Sequence, residues 1–317
     1  MTKLHLDTDL GGDIDDLCAL ALVLSWPGVE LTGVTTNQDN GGRRAGYTRY
    51  ALALAGRGDA PVAAGADASL PCYRIYPGLP DEAAYWPAPI PPAPSPLDAA
   101  LDLLDRSIRQ GAHIVAIGTY TNLALLEART PGILRDARLT LMGGYVHPPR
   151  PGFPVWSHEA DWNMQNDAAA ALRVLQCADP LLVPLTVTVE TALRRAYLPA
   201  LRNGGSLAQL IARQAEAFAR DEQNEACYGQ TCAGLPDDTI NFQHDPLACA
   251  IALGWRNGVE ISALPLRTEI RDGWLRQTVE PAGKPTRVVT RVDGMKFSEF
   301  WLERVTQTGG RSDSPTT

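Results

Sequence analysis

The sequence predicts one large α/β domain with a mostly parallel central sheet flanked by helices, plus a small antiparallel C-terminal portion. Two observations indicate this class. Short apolar runs alternate with longer helical patterns over most of the chain, which is typical of βαβ units with right-handed crossovers. Near the C terminus, strand-like segments follow one another without a helix between them. The 317 residues suit one such domain, expected at 1–308, with a disordered tail at 309–317.

The alternating elements follow in order from the N terminus. Short runs rich in branched apolar residues predict strands at 3–6, 29–36, 113–118, 139–144 and 181–188. Apolar residues that recur three and four positions apart predict helices at 14–28, 43–56, 121–130 and 166–176. This order makes the predicted sheet Rossmann-like.

The remaining segments complete the domain. Residues 71–96 contain nine prolines and are interpreted as a long surface excursion. Residues 206–226 predict a long helix that packs on the domain or covers a site. Two segments, 268–281 and 285–293, predict antiparallel strands, and 295–307 predict the last helix.

Composition narrows the possible partners. The formal net charge is -8, and no basic run is present to neutralise phosphates, so a nucleic-acid partner is not expected. No apolar run reaches the length of a membrane span, and the N terminus lacks a signal-peptide core. We therefore expect a cytoplasmic protein that does not bind membranes. Cys227 and Cys232 lie five positions apart, a weak hint of a disulfide or zinc half-site.

Polar residues cluster at four predicted strand ends. They are 7–16 after the first strand, 35–40 after the second, 118–122 after the third and 143–147 after the fourth. Ligands of open α/β sheets bind beyond the carboxyl ends of the strands. The four clusters therefore predict a single site at that edge.

The segment DTDLGGDIDD (7–16) places five aspartates within ten residues. Helix capping accounts for two or three of them, because acidic residues favour a helix start. An EF-hand loop does not fit, since position 12 of the loop is Cys18 instead of glutamate and a strand precedes the loop. A hard cation such as Ca²⁺ or Mg²⁺ would offset the repulsion among all five. Asp245, directly before an apolar helix and next to His244, is the candidate for a further ligand.

The sequence resembles the calcium-dependent nucleoside hydrolases, the inosine-uridine type and its relatives. The similar segments are DTDLGGDIDD (7–16), TTN (35–37), GTYTN (118–122), LMGG (141–144), DWNMQNDAAAA (161–171) and HDPLA (244–248). They follow the family's order and cover the chain to about residue 300, so 1–308 would be a nucleoside hydrolase-like catalytic domain.

The resemblance implies a role for each matched residue. Asp9 would bind calcium and act as general base, while Asp16, Asp245 and the main-chain carbonyl of Thr121 would be further ligands. The substrate-binding residues would be Asp15 and Asn37 at the sugar hydroxyls and Asp161 and Asn163 at the ribose 5′ side. His244, near the leaving base, would be the second catalytic residue and could donate a proton to that base. The implied reaction is Ca²⁺-dependent hydrolysis of the N-glycosidic bond of a ribonucleoside in salvage, by a homodimer or homotetramer. An oxocarbenium-like transition state suits a carboxylate-rich cavity.

Two departures from the family leave roles open. Asp161 stands where the family usually has glutamate, and the expanded first loop leaves Asp13 and Asp15 as alternatives for the sugar-binding position. Two other functions remain possible at this point. The Asp7-Thr8-Asp9 segment after a strand also suits a haloacid-dehalogenase-type phosphatase, although Gly11 departs from that pattern. A non-catalytic ribose- or calcium-binding protein on the same fold is the third.

Overall fold

The computed structural model describes residues 1–70 and 82–307, in which strands and helices alternate along most of the chain. The strands are β1 (Thr2–Thr8), β2 (Val29–Thr36), β3 (Val62–Ala64), β4 (His113–Ala116), β5 (Arg138–Met142), β6 (Leu181–Val183), β7 (Leu193–Arg194), β8 (Thr239–Asn241), β9 (Glu260–Arg271), β10 (Trp274–Val279) and β11 (Lys284–Arg291). The α-helices are α1 (Asp15–Ser25), α2 (Arg43–Leu54), α3 (Glu82–Tyr85), α4 (Leu97–Arg109), α5 (Thr121–Arg129), α6 (Trp162–Gln165), α7 (Ala168–Cys177), α8 (Leu185–Thr188), α9 (Leu198–Arg202), α10 (Ser206–Glu222), α11 (His244–Ala252) and α12 (Gly294–Gln307).

The main sheet of the described residues has nine strands in the order β10-β9-β11-β6-β5-β4-β1-β2-β3. Neighbours from β3 to β11 are parallel, whereas β9 is antiparallel to both β11 and β10. The predicted mostly parallel α/β fold with an antiparallel C-terminal portion is confirmed. Because β11 pairs with β6, that portion extends the main sheet. A separate two-stranded sheet joins β7 and β8.

Helices on both faces bury the apolar strands. Leu4 and Leu6 of β1 are fully buried, as expected for a parallel strand covered on both sides. Helix α1 contacts α11, α12 and the sheet, and its residues 17–23 are all buried. Trp301 of α12 donates through Nε1 to the Cys18 carbonyl at 3.0 Å. The C-terminal helix is thereby tied to the helix that follows the acidic loop.

Two segments differ from their predicted structure. The predicted strand at 181–188 ends at Val183, and Pro184 precedes α8, because proline lacks the N–H that a continuing ladder requires. In the proline-rich segment, Tyr85 and Trp86 are 3% and 2% exposed. Trp86 stacks on Tyr47 of α2 with ring centroids 4.4 Å apart. The described part of that segment, 82–96, is therefore anchored on α2 by buried aromatic side chains, while most of its other residues are exposed as predicted.

The long predicted helix at 206–226 is α10, which ends at Glu222. Gln223 follows in the left-handed region with φ 54°, and a π-helical turn continues from Glu225 to Gly229. Among the described residues, no helix is long and apolar enough to cross a membrane. The predicted tail at 309–317 and residues 71–81 lie outside the described residues.

Candidate active site

A cavity of about 620 Å³ opens at the carboxyl ends of the parallel strands. Asp9 follows β1, Ile117 follows β4 and Met142 ends β5, so three strands supply its floor. The floor is acidic, and the walls include the rings of Trp156, Trp162, Phe218 and His244. This is the edge of the sheet at which the sequence predicts a site.

Three buried carboxylates form the closest group in the cavity. Asp15, Asp16 and Asp245 each offer an oxygen, and these oxygens lie within 4.8 Å of one another. Asp15 and Asp16 begin α1, whereas Asp245 lies in the first turn of α11. The backbone N–H of Asp245 donates to Asp15 Oδ2 at 3.2 Å and joins the two helix starts. The positive ends of both helix dipoles offset part of the repulsion among these carboxylates.

Burial and mutual repulsion act on all three carboxyls in the same direction. Desolvation, reinforced by the neighbouring aspartates, raises the pKa of Asp15, Asp16 and Asp245 well above the usual aspartate range. A divalent cation reverses this effect because its charge favours the ionised carboxylate. Ca²⁺ takes about six to eight hard oxygen ligands. The cluster can therefore hold a divalent metal ion that draws its remaining ligands from nearby oxygens and solvent.

Asp9 lies beside this group without being part of it. Its side chain lines the cavity and is 8% exposed. Trp162 Nε1 donates to Asp9 Oδ2 at 3.2 Å. Desolvation raises the pKa of Asp9, while the Arg44 charge and the Trp162 hydrogen bond lower it. The structure thus holds the predicted general base at the cavity surface with one oxygen oriented by an indole N–H.

Buried polar residues fix the start of the acidic loop. The Thr8 hydroxyl donates to Asp16 Oδ1. Asp7 accepts hydrogen bonds from Asn122 at 2.8 Å, Thr35 at 2.5 Å and Asn37 at 3.2 Å. Burial nevertheless raises the pKa of Asp7 to about 7. Asp7 is therefore a structural member of the loop that connects the ends of β1, β2 and β4.

Asn37 is not at the cavity surface. It is fully buried, and its amide nitrogen donates to Asp7. Its side-chain oxygen accepts the N–H of Thr119 at 3.1 Å and the Thr119 hydroxyl at 3.0 Å. A Cβ on Gly118 would lie 2.6 Å from Asn37 Oδ1 and 2.8 Å from Asp9 Oδ1. The geometry gives Asn37 the role of a support behind Asp9, and its predicted contact with a sugar hydroxyl stays a prediction.

The structure also does not bring Thr121 to the cavity. Thr121 begins α5, and its hydroxyl donates to Asp167 Oδ2 at 2.6 Å. The carbonyl of a first-turn residue points along its helix and accepts the N–H four residues later. Ile117, at the end of β4, lines the cavity instead. A main-chain ligand from this loop is therefore better placed at Ile117 than at Thr121.

Asp161 and Asn163, both predicted for the ribose 5′ side, have different surroundings. Asp161 is the N-cap of α6: its carboxylate accepts the N–H groups of Gly144 and Met164. Burial raises its pKa to about 6. The shorter side chain is thus used as a cap, and its predicted sugar contact stays a prediction. Asn163 lines the cavity, with its amide nitrogen donating to the carbonyls of Ile117 at 3.0 Å and Met142 at 3.1 Å.

His244 forms part of the aromatic wall. Its Nδ1 lies 2.7 Å from the Thr188 hydroxyl, and its ring stacks on Phe242 with centroids 5.4 Å apart. Desolvation lowers the pKa of His244 to about 3, so the imidazole is neutral at pH 7. The ring centroids of Trp156 and His244 are 6.2 Å apart. Trp156 Nε1 donates to the Tyr228 hydroxyl at 3.3 Å.

Asp13 and Asp15 both line the cavity, but in different settings. Asp13 is exposed and accepts hydrogen bonds from Asn241 and from the N–H of Asp15. Asp15 is 4% exposed and belongs to the group of three carboxylates. This favours Asp15 over Asp13 as the residue next to a metal-bound substrate.

Several cavity residues carried no role in the sequence interpretation, among them Arg44, Tyr85, Phe218, Asp221 and Glu222. Arg44 belongs to α2, and the last three lie at the end of α10. Tyr85 donates through its hydroxyl to Asp221 at 2.8 Å. For Phe218, Asp221 and Glu222 the sequence signal is the predicted helix at 206–226, expected to pack on the domain or cover a site. Their convergence depends on tertiary packing.

Comparison with solved structures supports the fold. A plant nucleoside hydrolase superposes with a TM-score of 0.73 at 22% identity, over 96% of this chain and 99% of that one. A purine-preferring ribonucleoside hydrolase from Gardnerella vaginalis gives a TM-score of 0.74 at 21% identity, over 97% and 99%. An inosine-uridine preferring nucleoside hydrolase from Bacillus anthracis gives 0.64 at 20% identity, over 97% and 100%.

Sequence comparison identifies the family. No curated protein matches this sequence. The family model for inosine-uridine preferring nucleoside hydrolases, however, matches residues 4–299, nearly the whole chain and all of the site described above. The chain is a hydrolase that acts on N-glycosyl compounds, and it belongs to the inosine-uridine preferring nucleoside hydrolase family.

Proposed function

We propose that this chain hydrolyses the N-glycosidic bond of a ribonucleoside to ribose and free base in a Ca²⁺-dependent reaction. The observation that carries the proposal is the group formed by Asp15, Asp16 and Asp245 next to Asp9. Carboxylates from two helix starts meet in one cavity that also has an aromatic wall. The cavity volume of about 620 Å³ lies within the range of small-molecule sites.

The floor of the cavity supplies what glycosidic cleavage requires. A bound Ca²⁺ would hold a vicinal diol and make water more acidic. Asp9, oriented by Trp162, takes the proton of the attacking water as general base. The surrounding carboxylates stabilise the positive charge that develops on the sugar ring. From the group of three carboxylates we propose Asp16 and Asp245 as metal ligands, together with Asp9, which lies beside the group. Asp15, the third member, is left to the sugar, and Ile117 is the proposed main-chain ligand.

The sugar and the base occupy different parts of the same cavity in this proposal. Asp15 and Asn163 contact the sugar, because both line the cavity and are buried. Asn163 donates through its nitrogen to two backbone carbonyls, which leaves its side-chain oxygen to accept from a hydroxyl. The base packs against Trp156, Phe218 and His244, whose rings form the apolar wall.

His244 acts as a hydrogen-bonding residue in this proposal. The Thr188 hydroxyl also lies 3.2 Å from the Leu185 carbonyl, to which it donates. The imidazole Nδ1–H then donates to Thr188, and Nε2 remains as an acceptor. With a pKa lowered to about 3, a neutral His244 accepts a hydrogen bond from the base at pH 7. The leaving base is therefore protonated by solvent or by another donor.

Sugar release from a nucleoside panel tests the proposal. Calcium-loaded protein is expected to release ribose from at least one common nucleoside, and EDTA is expected to stop the release. Asp9→Asn is expected to lower kcat by about 100-fold or more, the scale of a general base, while Asp59→Asn, an exposed control, leaves it unchanged. Release of phosphate from a generic phosphate ester, or ribose binding without turnover, would favour the phosphatase or the non-catalytic alternative.

A further inference from the structure

Arg44 is the only lysine or arginine among the described residues that line the cavity. Its side chain belongs to α2, and the residue is 6% exposed. Nε donates to the Gln38 carbonyl at 2.9 Å, but Nη1 is buried with no hydrogen-bond partner. Burying a guanidinium without partners for its N–H groups is costly. Arg44 therefore has donors left for a ligand.

Among the described residues, the carboxylates of the cavity floor do not accept hydrogen bonds from the free Arg44 donors. The Arg44 charge lowers the pKa of Asp9 and of Asp16, so the guanidinium lies near both carboxylates. Within residues 1–70 and 82–307, however, Arg44 forms no salt bridge with either. Gly12 lies beside it, since a Cβ there would be in ordinary van der Waals contact with Nη1 at 3.5 Å. The space between the guanidinium and the two carboxylates belongs to the cavity.

The group that fills this space must satisfy both sides. It has to accept a hydrogen bond from Arg44 and must not be repelled by Asp9 and Asp16. A hydroxyl accepts from a guanidinium and donates to a carboxylate. A phosphate only accepts, and the cavity carboxylates outnumber Arg44 and one divalent cation together, so a second anion is repelled. The chemistry favours an uncharged sugar hydroxyl.

We infer that Arg44 donates to the ribose 2′-hydroxyl. This inference rests on the proposed function, in which Asp9 holds the water that attacks the anomeric carbon. The 2′-hydroxyl is on the carbon next to the anomeric carbon, so it is the sugar hydroxyl nearest to that water. Arg44 lies beside Gly12 and near Asp9, which places its free donor on the side of this hydroxyl.

Calorimetric binding of free sugars tests the inference without relying on turnover. The probes are ribose, 2-deoxyribose and ribose 5-phosphate, each titrated into protein saturated with Ca²⁺. Arg44→Gln is expected to weaken ribose binding about 10-fold, the scale of a hydrogen bond from a charged donor, and to leave 2-deoxyribose binding unchanged. Arg43→Gln is the matched control, because Arg43 is the preceding residue of α2 and pairs with Glu82 outside the cavity. It should change neither affinity.

Several results would overturn the inference. Equal losses for ribose and 2-deoxyribose would show that Arg44 does not contact the 2′-hydroxyl. Tighter binding of ribose 5-phosphate that depends on Arg44 would assign the guanidinium to phosphate. Arg44→Lys is the second variant in case Arg44→Gln does not fold: it keeps the charge and loses the planar fork, so ribose affinity should fall by a smaller factor with 2-deoxyribose affinity unchanged.

A parallel hydrolysis assay separates the two claims. Wild-type protein that releases no sugar from nucleosides but shows the Arg44-dependent preference for ribose would refute the proposed function alone. Wild-type protein that hydrolyses a nucleoside but shows no such preference would refute the inference alone.

Discussion

Asp245→Asn is expected to stabilise the metal-free protein and to abolish its response to calcium. The substitution keeps the backbone N–H that donates to Asp15, and it removes one charge from a group whose oxygens lie within 4.8 Å. At that distance a pair of carboxylates repels by about 3 kcal/mol at an effective dielectric near 20. The raised pKa values of the three carboxyls mean that bound protons already relieve part of this repulsion at pH 7. We therefore expect a gain of about 1–2 kcal/mol, or roughly 1.5–3 °C in Tm for a domain of this size.

Thermal unfolding of chelator-treated protein, with and without added Ca²⁺, measures both effects. Wild-type protein at a calcium concentration about 100-fold above Kd should gain about 2.7 kcal/mol, whereas the variant should gain none. Asp59→Asn, at an exposed side chain, should follow the wild type in both conditions. Two outcomes would refute the reasoning: a metal-free variant that melts below metal-free wild type, or equal calcium shifts in the two proteins.

Further predictions concern the residues around the three carboxylates. Trp162→Phe removes the N–H that orients Asp9 and keeps an aromatic wall, so kcat should fall about 10-fold with Tm nearly unchanged; an unaltered kcat would contradict this role. Metal-free protein should lose stability to urea as pH rises from 5 to 8. Burial raises the pKa of Asp161 to about 6 and that of Asp7 to about 7. Each carboxyl binds its proton more tightly in the folded state, which stabilises the fold at pH values below the unfolded-state pKa. This stabilisation is lost as the pH rises through the folded-state pKa. Greater stability at pH 8 would refute this. Gly118→Ala should abolish activity, because a Cβ there would lie 2.8 Å from Asp9 Oδ1; an active variant with wild-type kcat would show that the floor tolerates displacement. Gly294→Ala should cost roughly 1–3 kcal/mol in denaturant unfolding, because its Cβ would overlap the Glu190 carbonyl; unchanged stability would contradict this steric reasoning.

The sequence predicts the parts of the site that depend on local order. Asp9 follows a strand, Asp15 and Asp16 begin an apolar helix, and Asp245 begins another, and the pattern of apolar and polar residues alone indicates each of these placements. Parallel strands bring their carboxyl ends to one edge, so these residues converge once the α/β class is known. The fold is predictable for the same reason, except where a proline or a buried aromatic residue interrupts the pattern.

The parts that the sequence did not predict depend on directions and distances. Whether the carbonyl of Thr121 points into the cavity or along α5 is a matter of helix register, which residue order alone does not determine. Asp161 has a sequence signal for capping, because an aspartate directly before a helix is a favoured N-cap. In the structure it caps α6 by accepting the N–H of Met164. The family resemblance instead indicated a sugar contact for this residue. Arg44 shows only as one of three arginines in a helical pattern. That its Nη1 is buried without a hydrogen-bond partner is a tertiary property.

The link between Asp15 and Asp245 spans 230 positions of the chain. During synthesis, the N-terminal aspartates leave the ribosome long before Asp245 exists, so an emerging chain lacks the complete group of three carboxylates. If the proposed calcium site forms, tight calcium binding would report that both ends of the chain have assembled, because no fragment that lacks α11 contains all three carboxylates. Separately expressed N- and C-terminal fragments would then recover tight binding only on association.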